Sequence, residues 1–344
     1  MIRFNCDYNE GAHPRILERL TETNFEQTAG YGEDPHCERA RDLIRKACAA
    51  PDADVYFLVG GTQCNLTVIA SSLRPHQGVL SADSGHVNVH ESGAIEATGH
   101  KVMALPSPDG KITAAQVEAA WKAHFEDETQ IHMVQPKMVY ISHPSEIGTL
   151  YTKAELTALS EVCRKRGLYL YMDGARMGYG LTAPGNDLTL ADIASLCDLF
   201  YIGGTKVGAL FGEALVIRNE QLKVDFPYMI KQRGGLLAKG WLLGLQFATL
   251  FENDLYFSMT KKAVADAMRI RDAFRAKGIP FYMESPTNQQ FVVLTEAQME
   301  QIGRRHIFEY NAKVGEGLHC VRFCTSWSTQ PEDVETLIKD IAEL

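Results

Sequence analysis

The stretch Leu199-Phe-Tyr-Ile-Gly-Gly-Thr-Lys-Val-Gly208 sets a lysine, Lys206, among glycines just past an apolar run of strand character. Glycines there leave room for something flat and bulky to come close to the backbone. Thr205 offers a hydroxyl suited to a phosphate oxygen. An amine at the mouth of an apolar strand is partly desolvated, which lowers its pKa and makes it a usable nucleophile. The plainer alternative is a surface lysine in a Gly-rich turn. The stretch is not a P-loop, because no Gly-Lys-Ser/Thr follows the required spacer.

Four further strand ends carry groups of matching chemistry. Val55-Tyr-Phe-Leu-Val59 runs into Gly60-Gly-Thr-Gln-Cys-Asn65 and an apolar helix from Leu66 to about Ser72. Bare backbone N–H groups at the positive end of a helix dipole suit a phosphate. The three-glycine spacing of a dinucleotide site is absent. His86 follows the strand-like Gly78–Ser81, where ligand-facing residues of open α/β sheets collect; a capping or surface histidine is the alternative. Leu168–Met172 delivers Asp173-Gly-Ala-Arg176 at its tip. A buried aspartate needs a partner, either Arg176 or the ring nitrogen of a heterocycle. A polar loop, His143-Pro-Ser-Glu-Ile-Gly-Thr149, follows the strand-like Met138–Ser142.

The elements that must hold these groups alternate strand, loop and helix over roughly residues 50 to 220, with helices predicted at Ala114–His124 and Lys153–Arg166. That order favours a mostly parallel sheet covered by helices. A long apolar helix is expected from Gly240 to about Leu255, and one near Thr260–Lys277 leads into a second, α+β domain. That domain takes strands at Ile279–Tyr282, Gln290–Leu294 and Val321–Cys324 and a closing helix from Pro331. Phe4 to Pro14 shows neither period and reads as an arm. The expected division is an N-terminal arm (1–12), a large domain (13–255) and a small C-terminal domain (256–344).

Bulk properties narrow the class. The chain has 344 residues, 45% hydrophobic and 22% charged, as ordinary globular proteins do. A net charge of −9 disfavours nucleic acid as the main partner. No apolar run approaches the length of a membrane span, and the first residues lack a signal-like apolar region, so a cytoplasmic protein without a membrane partner is expected. Eight scattered cysteines form no Cys-x-x-Cys and no zinc pattern, so reduced, buried thiols and no metal are expected.

A phosphate cup, a flat imidazole, a strand-tip acid and a strand-tip lysine together suit pyridoxal 5′-phosphate. It needs an amine for a Schiff base, a carboxylate for its ring nitrogen, N–H groups for its phosphate and a flat partner for its ring. At these residues the chain resembles the L-threonine aldolase, or β-eliminating lyase, family of fold-type I pyridoxal-phosphate enzymes. The motifs are Tyr31-Gly-Glu-Asp-Pro35, the Gly-Thr-x-x-Asn cup ending at Asn65, His86-Val-x-x-x-Glu91, Asp173-Gly-Ala-Arg176 and Thr205-Lys206. They span nearly the whole chain.

The resemblance implies an aspartate aminotransferase-like large domain with a small α+β domain, and assigns roles. Lys206 carries the Schiff base with the cofactor, Asp173 faces the ring nitrogen, and His86 stacks on the ring. Gly60, Gly61, Thr62 and Thr205 hold the phosphate. Arg176 and Arg322 hold the substrate α-carboxylate; for Arg322 an internal salt bridge is the alternative. His86 or His143 takes the β-hydroxyl proton. The chain departs from the family pattern in three places. A carboxylate-binding serine is replaced by Cys6, which is expected at the substrate together with its neighbour Asp7. Asn88 and His90 stand where aromatic residues follow the stacking histidine. Gly234-Gly-Leu-Leu-Ala-Lys239 lacks the phosphate-binding arginine, for which Lys231 or Lys239 compensates, in one reading from a neighbouring subunit. The implied activity is retro-aldol cleavage of L-threonine and L-allo-threonine-type β-hydroxy amino acids to glycine and an aldehyde. The alternative is β-elimination or transamination of another amino acid. A homodimer or homotetramer with a shared active site is expected.

Overall fold

The computed structural model describes residues 1–344. Its strands are β1 (Ile2–Arg3), β2 (Asp54–Leu58), β3 (Gln77–Ala82), β4 (Val102–Leu105), β5 (Gln135–Ser142), β6 (Tyr169–Asp173), β7 (Leu199–Gly203), β8 (Glu213–Ile217), β9 (Phe281–Met283), β10 (Gln289–Thr295), β11 (His306–Ile307), β12 (Glu309–Gly315) and β13 (Leu318–Cys324). A seven-stranded sheet has the order β2-β8-β7-β6-β5-β3-β4. Strands β3 to β7 pair parallel, whereas β8 runs antiparallel between β7 and β2. The connection 204–212 is shorter than the crossover of roughly a dozen residues that a parallel partner needs. The start of β8 therefore lies at the same edge as the ends of the parallel strands.

Side chains alternate between the two faces as a period of two requires. Val139, Ile141, Met172, Phe200 and Ile202 enter one buried cluster. Met138, Tyr140, Tyr171, Leu199 and Tyr201 enter the other. Helices cover both faces. Lys153–Arg166 opens on a Thr152/Glu155 capping box and closes at Gly167, whose φ of 64° suits glycine. The helix over the cup begins at Gly61, earlier than the apolar pattern alone suggests, because its polar first turn still meets the helical hydrogen-bond pattern.

A second, antiparallel sheet, β12-β13-β10-β9, packs against the helices Leu255–Ala276 and Pro331–Ala342 through Ile270, Phe274, Val292, Val321, Val334 and Leu337. The N-terminal stretch joins this unit. Phe4 is buried in the same cluster, and β1 pairs parallel with β11. A two-residue strand whose partner lies some three hundred residues away leaves no local period to read. The expected helix from Gly240 to Leu255 is Trp241–Phe251, and a new helix starts at Leu255. Asn253 and Asp254 separate them with φ of 54° and 59°, a left-handed step that ends a right-handed helix. All eight cysteines are free and buried. No helix is long and apolar enough to cross a membrane.

Candidate active site

The strand ends of the large sheet surround a cavity of about 120 Å³, lined among others by Thr62, His86, Glu146, Asp173, Arg176 and Lys206. Two glycines let the tips carrying the acid and the lysine close on each other. Gly203 N–H donates to the Gly174 carbonyl at 2.9 Å. A Cβ on Gly203 would lie 2.3 Å from the Ala175 oxygen, and one on Gly174 2.0 Å from the Tyr201 oxygen. Any side chain at either position would force the tips apart.

Asp173 is buried and ringed by donors. Its Oδ2 accepts from the Tyr140 hydroxyl at 2.6 Å and from Asn65 Nδ2 at 3.2 Å. Its Oδ1 accepts from the Tyr201 hydroxyl and from the Ala175 N–H at 3.0 Å. Arg176 is not its partner. Asn65 also donates to Glu91 at 2.6 Å, and Glu91 meets His86 Nδ1 at 2.8 Å. On the other side Ser142 Oγ donates to Glu146 Oε1 at 2.6 Å and lies 3.3 Å from the Tyr140 oxygen, and that Glu146 oxygen accepts the His86 N–H at 2.9 Å. The chain of polar contacts closes on itself: His86, Glu91, Asn65, Asp173, Tyr140, Ser142, Glu146 and back to His86.

Lys206 is partly buried. Burial foremost, then the neighbouring Arg176 cation, holds its amine below the usual lysine range. The buried Glu213, at the start of β8, accepts from Gly204 N–H at 3.2 Å and from Thr205 Oγ1 at 2.9 Å. Burial pushes its carboxyl up to about 8 while the Lys206 charge draws it back. The Thr205 hydroxyl is thus engaged by Glu213, and Thr205 is not among the lining residues. Residue spacing did not single out Glu213. Its signal, an acid at the start of an apolar strand, was visible but had no partner to read it against.

His86 is held through Nδ1. Burial lowers its pKa, but the Glu91 hydrogen bond and the Asp173 and Glu91 charges outweigh that and leave it raised. His143 lies elsewhere. It is fully buried, its Nδ1 3.4 Å from the Tyr151 N–H, and burial lowers its pKa to about 4. It does not line the cavity, whereas its loop neighbours Pro144, Ser145 and Glu146 do. Gly60 caps the helix Gly61–Ser72 without a side-chain hydrogen bond, so the first-turn amides beside the cavity are left for an anion. These observations fit pyridoxal phosphate: an uncapped helix end, a carboxyl ringed by donors, a depressed amine and an imidazole on one cavity.

The arginines are placed differently from each other. Arg176 makes a two-pronged pair with the fully buried Asp7, Nε to Oδ2 at 2.7 Å and Nη2 to Oδ1 at 2.9 Å. Asp7 also accepts from Asn288 at 3.0 Å; although burial opposes it, Arg176 and Lys206 hold its carboxyl down at about 2. An anionic Asp7 would repel a substrate carboxylate, so its geometry suits orienting Arg176. Arg322 has no acidic partner. Its Nη1 meets Gln289 Oε1 at 3.2 Å, its Nη2 the Asn5 carbonyl at 2.8 Å, and its Nε has no partner. Cys6 is buried in the arm and donates to Asn9 at 3.1 Å. Lys231 and Lys239 are exposed and off the cavity, with the Lys231 ammonium 4.7 Å from the Tyr31 ring centre.

The family model described as "Beta-eliminating lyase" matches residues 10–334. A solved structure of Leishmania major threonine aldolase superposes with a TM-score of 0.97 at 43% identity, covering 100% of this chain and 99% of that one. The low specificity L-threonine aldolase of Pseudomonas aeruginosa is 29% identical over 98% of this chain and 96% of its own length. An aspartate aminotransferase of Thermus thermophilus shares the fold, with a TM-score of 0.73 at 14% identity over 100% of this chain and 91% of its own.

Proposed function

This chain belongs to the β-eliminating lyase family, and from that premise we infer that it is a pyridoxal-phosphate-dependent carbon–carbon lyase. It cleaves L-threonine-type β-hydroxy amino acids to glycine and an aldehyde. The observation that carries the reading is the meeting of Lys206, Asp173, His86 and the uncapped Gly61 helix end on one cavity, in a chain matching the Leishmania aldolase over its whole length. When bound, pyridoxal phosphate draws the electrons of a breaking bond at Cα into its conjugated ring.

The chain's own residues do the rest. The Lys206 amine is the group to which the cofactor is joined, and its depressed pKa keeps a larger neutral, nucleophilic fraction available. Asp173, fixed by four donors, holds a proton on the ring nitrogen. His86 offers its flat face, with Glu91 fixing its orientation. The amides of Gly60, Gly61 and Thr62 take the phosphate. Arg176, aimed by Asp7, and Arg322 bind the α-carboxylate and so set which bond at Cα is aligned for cleavage. Purified protein supplied with pyridoxal phosphate and L-threonine is expected to release glycine and acetaldehyde. Formation of 2-oxobutanoate and ammonia instead would establish elimination and overturn the aldolase reading.

Arg322→Lys tests the carboxylate assignment. The guanidinium has no acidic partner, its Nη1 and Nη2 meeting only the Gln289 amide oxygen and the Asn5 carbonyl. Losing one two-pronged charged contact should cost roughly 1.5–3 kcal/mol, about ten- to a hundredfold in kcat/KM. The effect should lie in KM for amino acids, with cofactor absorbance unchanged. A lower melting temperature at constant KM would make Arg322 a structural residue.

The assembly proposed is a homo-oligomer, dimer or tetramer, in which Lys231 or Lys239 reaches a neighbouring phosphate site. Both lysines are exposed, and Val224 and Tyr228 beside them are 72% and 75% exposed. The apolar helix Trp241–Phe251 gives no support, since it is buried within the chain, with Gly244 packed on Cys37 of the helix Pro35–Ala47. Light scattering at assay concentration should give a mass at least twice that of the chain. A fully active monomer would refute this.

A further inference from the structure

Retro-aldol cleavage needs a group that accepts the proton of the β-hydroxyl, and the cavity narrows the choice. His143 is buried behind its wall. His86 gives its face to the cofactor and its Nδ1 to Glu91, which leaves only Nε2, in the plane of a ring laid flat against the cofactor and so not aimed across it. Asp173 is occupied by four donors, and Lys206 anchors the cofactor. Glu146 is the remaining acid on the cavity. Its Oε1 accepts from both Ser142 Oγ and His86 N–H, which fixes the carboxyl in place, while its Oε2 makes no hydrogen bond and is not among the sealed-off, unpartnered atoms.

We propose that Glu146 is the acid–base residue that takes the proton from the substrate β-hydroxyl, a role that rests on the aldolase reading above. The β-oxygen gives its proton to Oε2 as the C–O bond becomes the aldehyde C=O. The Cα–Cβ bond breaks with its electron pair left on Cα, the atom that is later protonated to give glycine. The charged and titratable groups facing Glu146 across the cavity are His86, Asp173, Arg176, Tyr201 and Lys206. Burial above all, with a contribution from the Asp173 charge, raises its carboxyl above the usual range, and the Ser142 hydrogen bond pulls it back. An acid raised in this way is matched to giving and taking protons nearer neutrality.

The test uses the cofactor-loaded Glu146→Gln variant, with Glu146→Asp as a second. Glutamine keeps an oxygen for Ser142 and His86 but cannot accept the proton. The kcat for L-threonine should fall about 10²–10⁴-fold in Glu146→Gln and partly recover in Glu146→Asp. L-2-aminobutyrate, which is threonine without the hydroxyl, should bind within about threefold of wild type by absorbance titration. Three results would overturn the assignment: kcat within about threefold of wild type, a loss confined to KM, or a parallel loss of aminobutyrate or cofactor affinity in both variants. Wild-type protein that makes no glycine from any β-hydroxy amino acid would instead remove the aldolase reading, and this role with it.

Discussion

Lys206→Ala is expected to fold, to bind pyridoxal phosphate only reversibly and to lose nearly all turnover, because the amine to which the cofactor is joined is gone. The physical reason lies in where the amine sits. Burial foremost, then the Arg176 cation, disfavours its charged form and outweighs the opposing pull of Asp7, Asp173 and Glu213. Removing a group with a depressed pKa should therefore leave the melting temperature equal or higher. The sign follows from linkage: a lysine whose folded pKa is lowered opposes stability below its unfolded pKa, where folding must strip or strain its proton. Two readouts separate this from a surface lysine. Borohydride should fix the cofactor to wild type and not to the variant, and dialysis should strip it from the variant alone. Retention of a borohydride-fixed cofactor with full turnover would show that another amine carries it.

Asp173→Asn should retain cofactor but lose roughly 10²–10³ in kcat/KM, the scale on which removing one preorganised electrostatic contact slows an enzyme. The neutral amide cannot hold a proton on the ring nitrogen. It also meets a local conflict: both carboxylate oxygens accept, and four groups donate to them. Whichever way the amide turns, one N–H faces a donor. Tyrosine hydroxyls can rotate to accept, but the Ala175 N–H cannot. The strain should appear as about 1–3 kcal/mol of lost stability, measurable by denaturant unfolding. Wild-type kcat/KM in the variant would show that the carboxylate only ties three strands together.

What could be read from sequence followed from physics that leaves local marks. A glycine at a strand tip is such a mark, so Gly60, Gly61, Asp173 and Lys206 stood out, and the structure brings the lining residues among them to one cavity. Alternation of apolar strands and helices predicted a mostly parallel sheet, and the comparisons with threonine aldolase and aminotransferase folds agree. Partners remote in sequence left no such mark. Tyr140, Tyr171 and Tyr201 look like ordinary strand residues, and only the register Tyr140 to Tyr171, with Tyr201 on the same face, sets their hydroxyls around Asp173 and Asn65. Arg176 meets Asp7 across 169 positions. In the His143–Thr149 loop the polar pattern was visible, but not which side chain turns inward. Packing buries the imidazole and leaves the carboxyl of Glu146 on the cavity.

The antiparallel strand β8 has a consequence for how the molecule is made. It separates β2 from β7, so β2, the first strand of the large sheet to leave the ribosome, has no hydrogen-bonded neighbour until the last one arrives. At 5–20 residues per second, the interval between Leu58 and Ile217 is roughly 10–30 s of synthesis. Throughout it the strands β3 to β7 can already pair while β2 and the Gly60-Gly61 turn that ends it wait unpaired. The same hairpin that brings Glu213 beside Thr205 then docks β2, so the nascent chain gains the uncapped helix end at Gly61 and its lysine setting in one event.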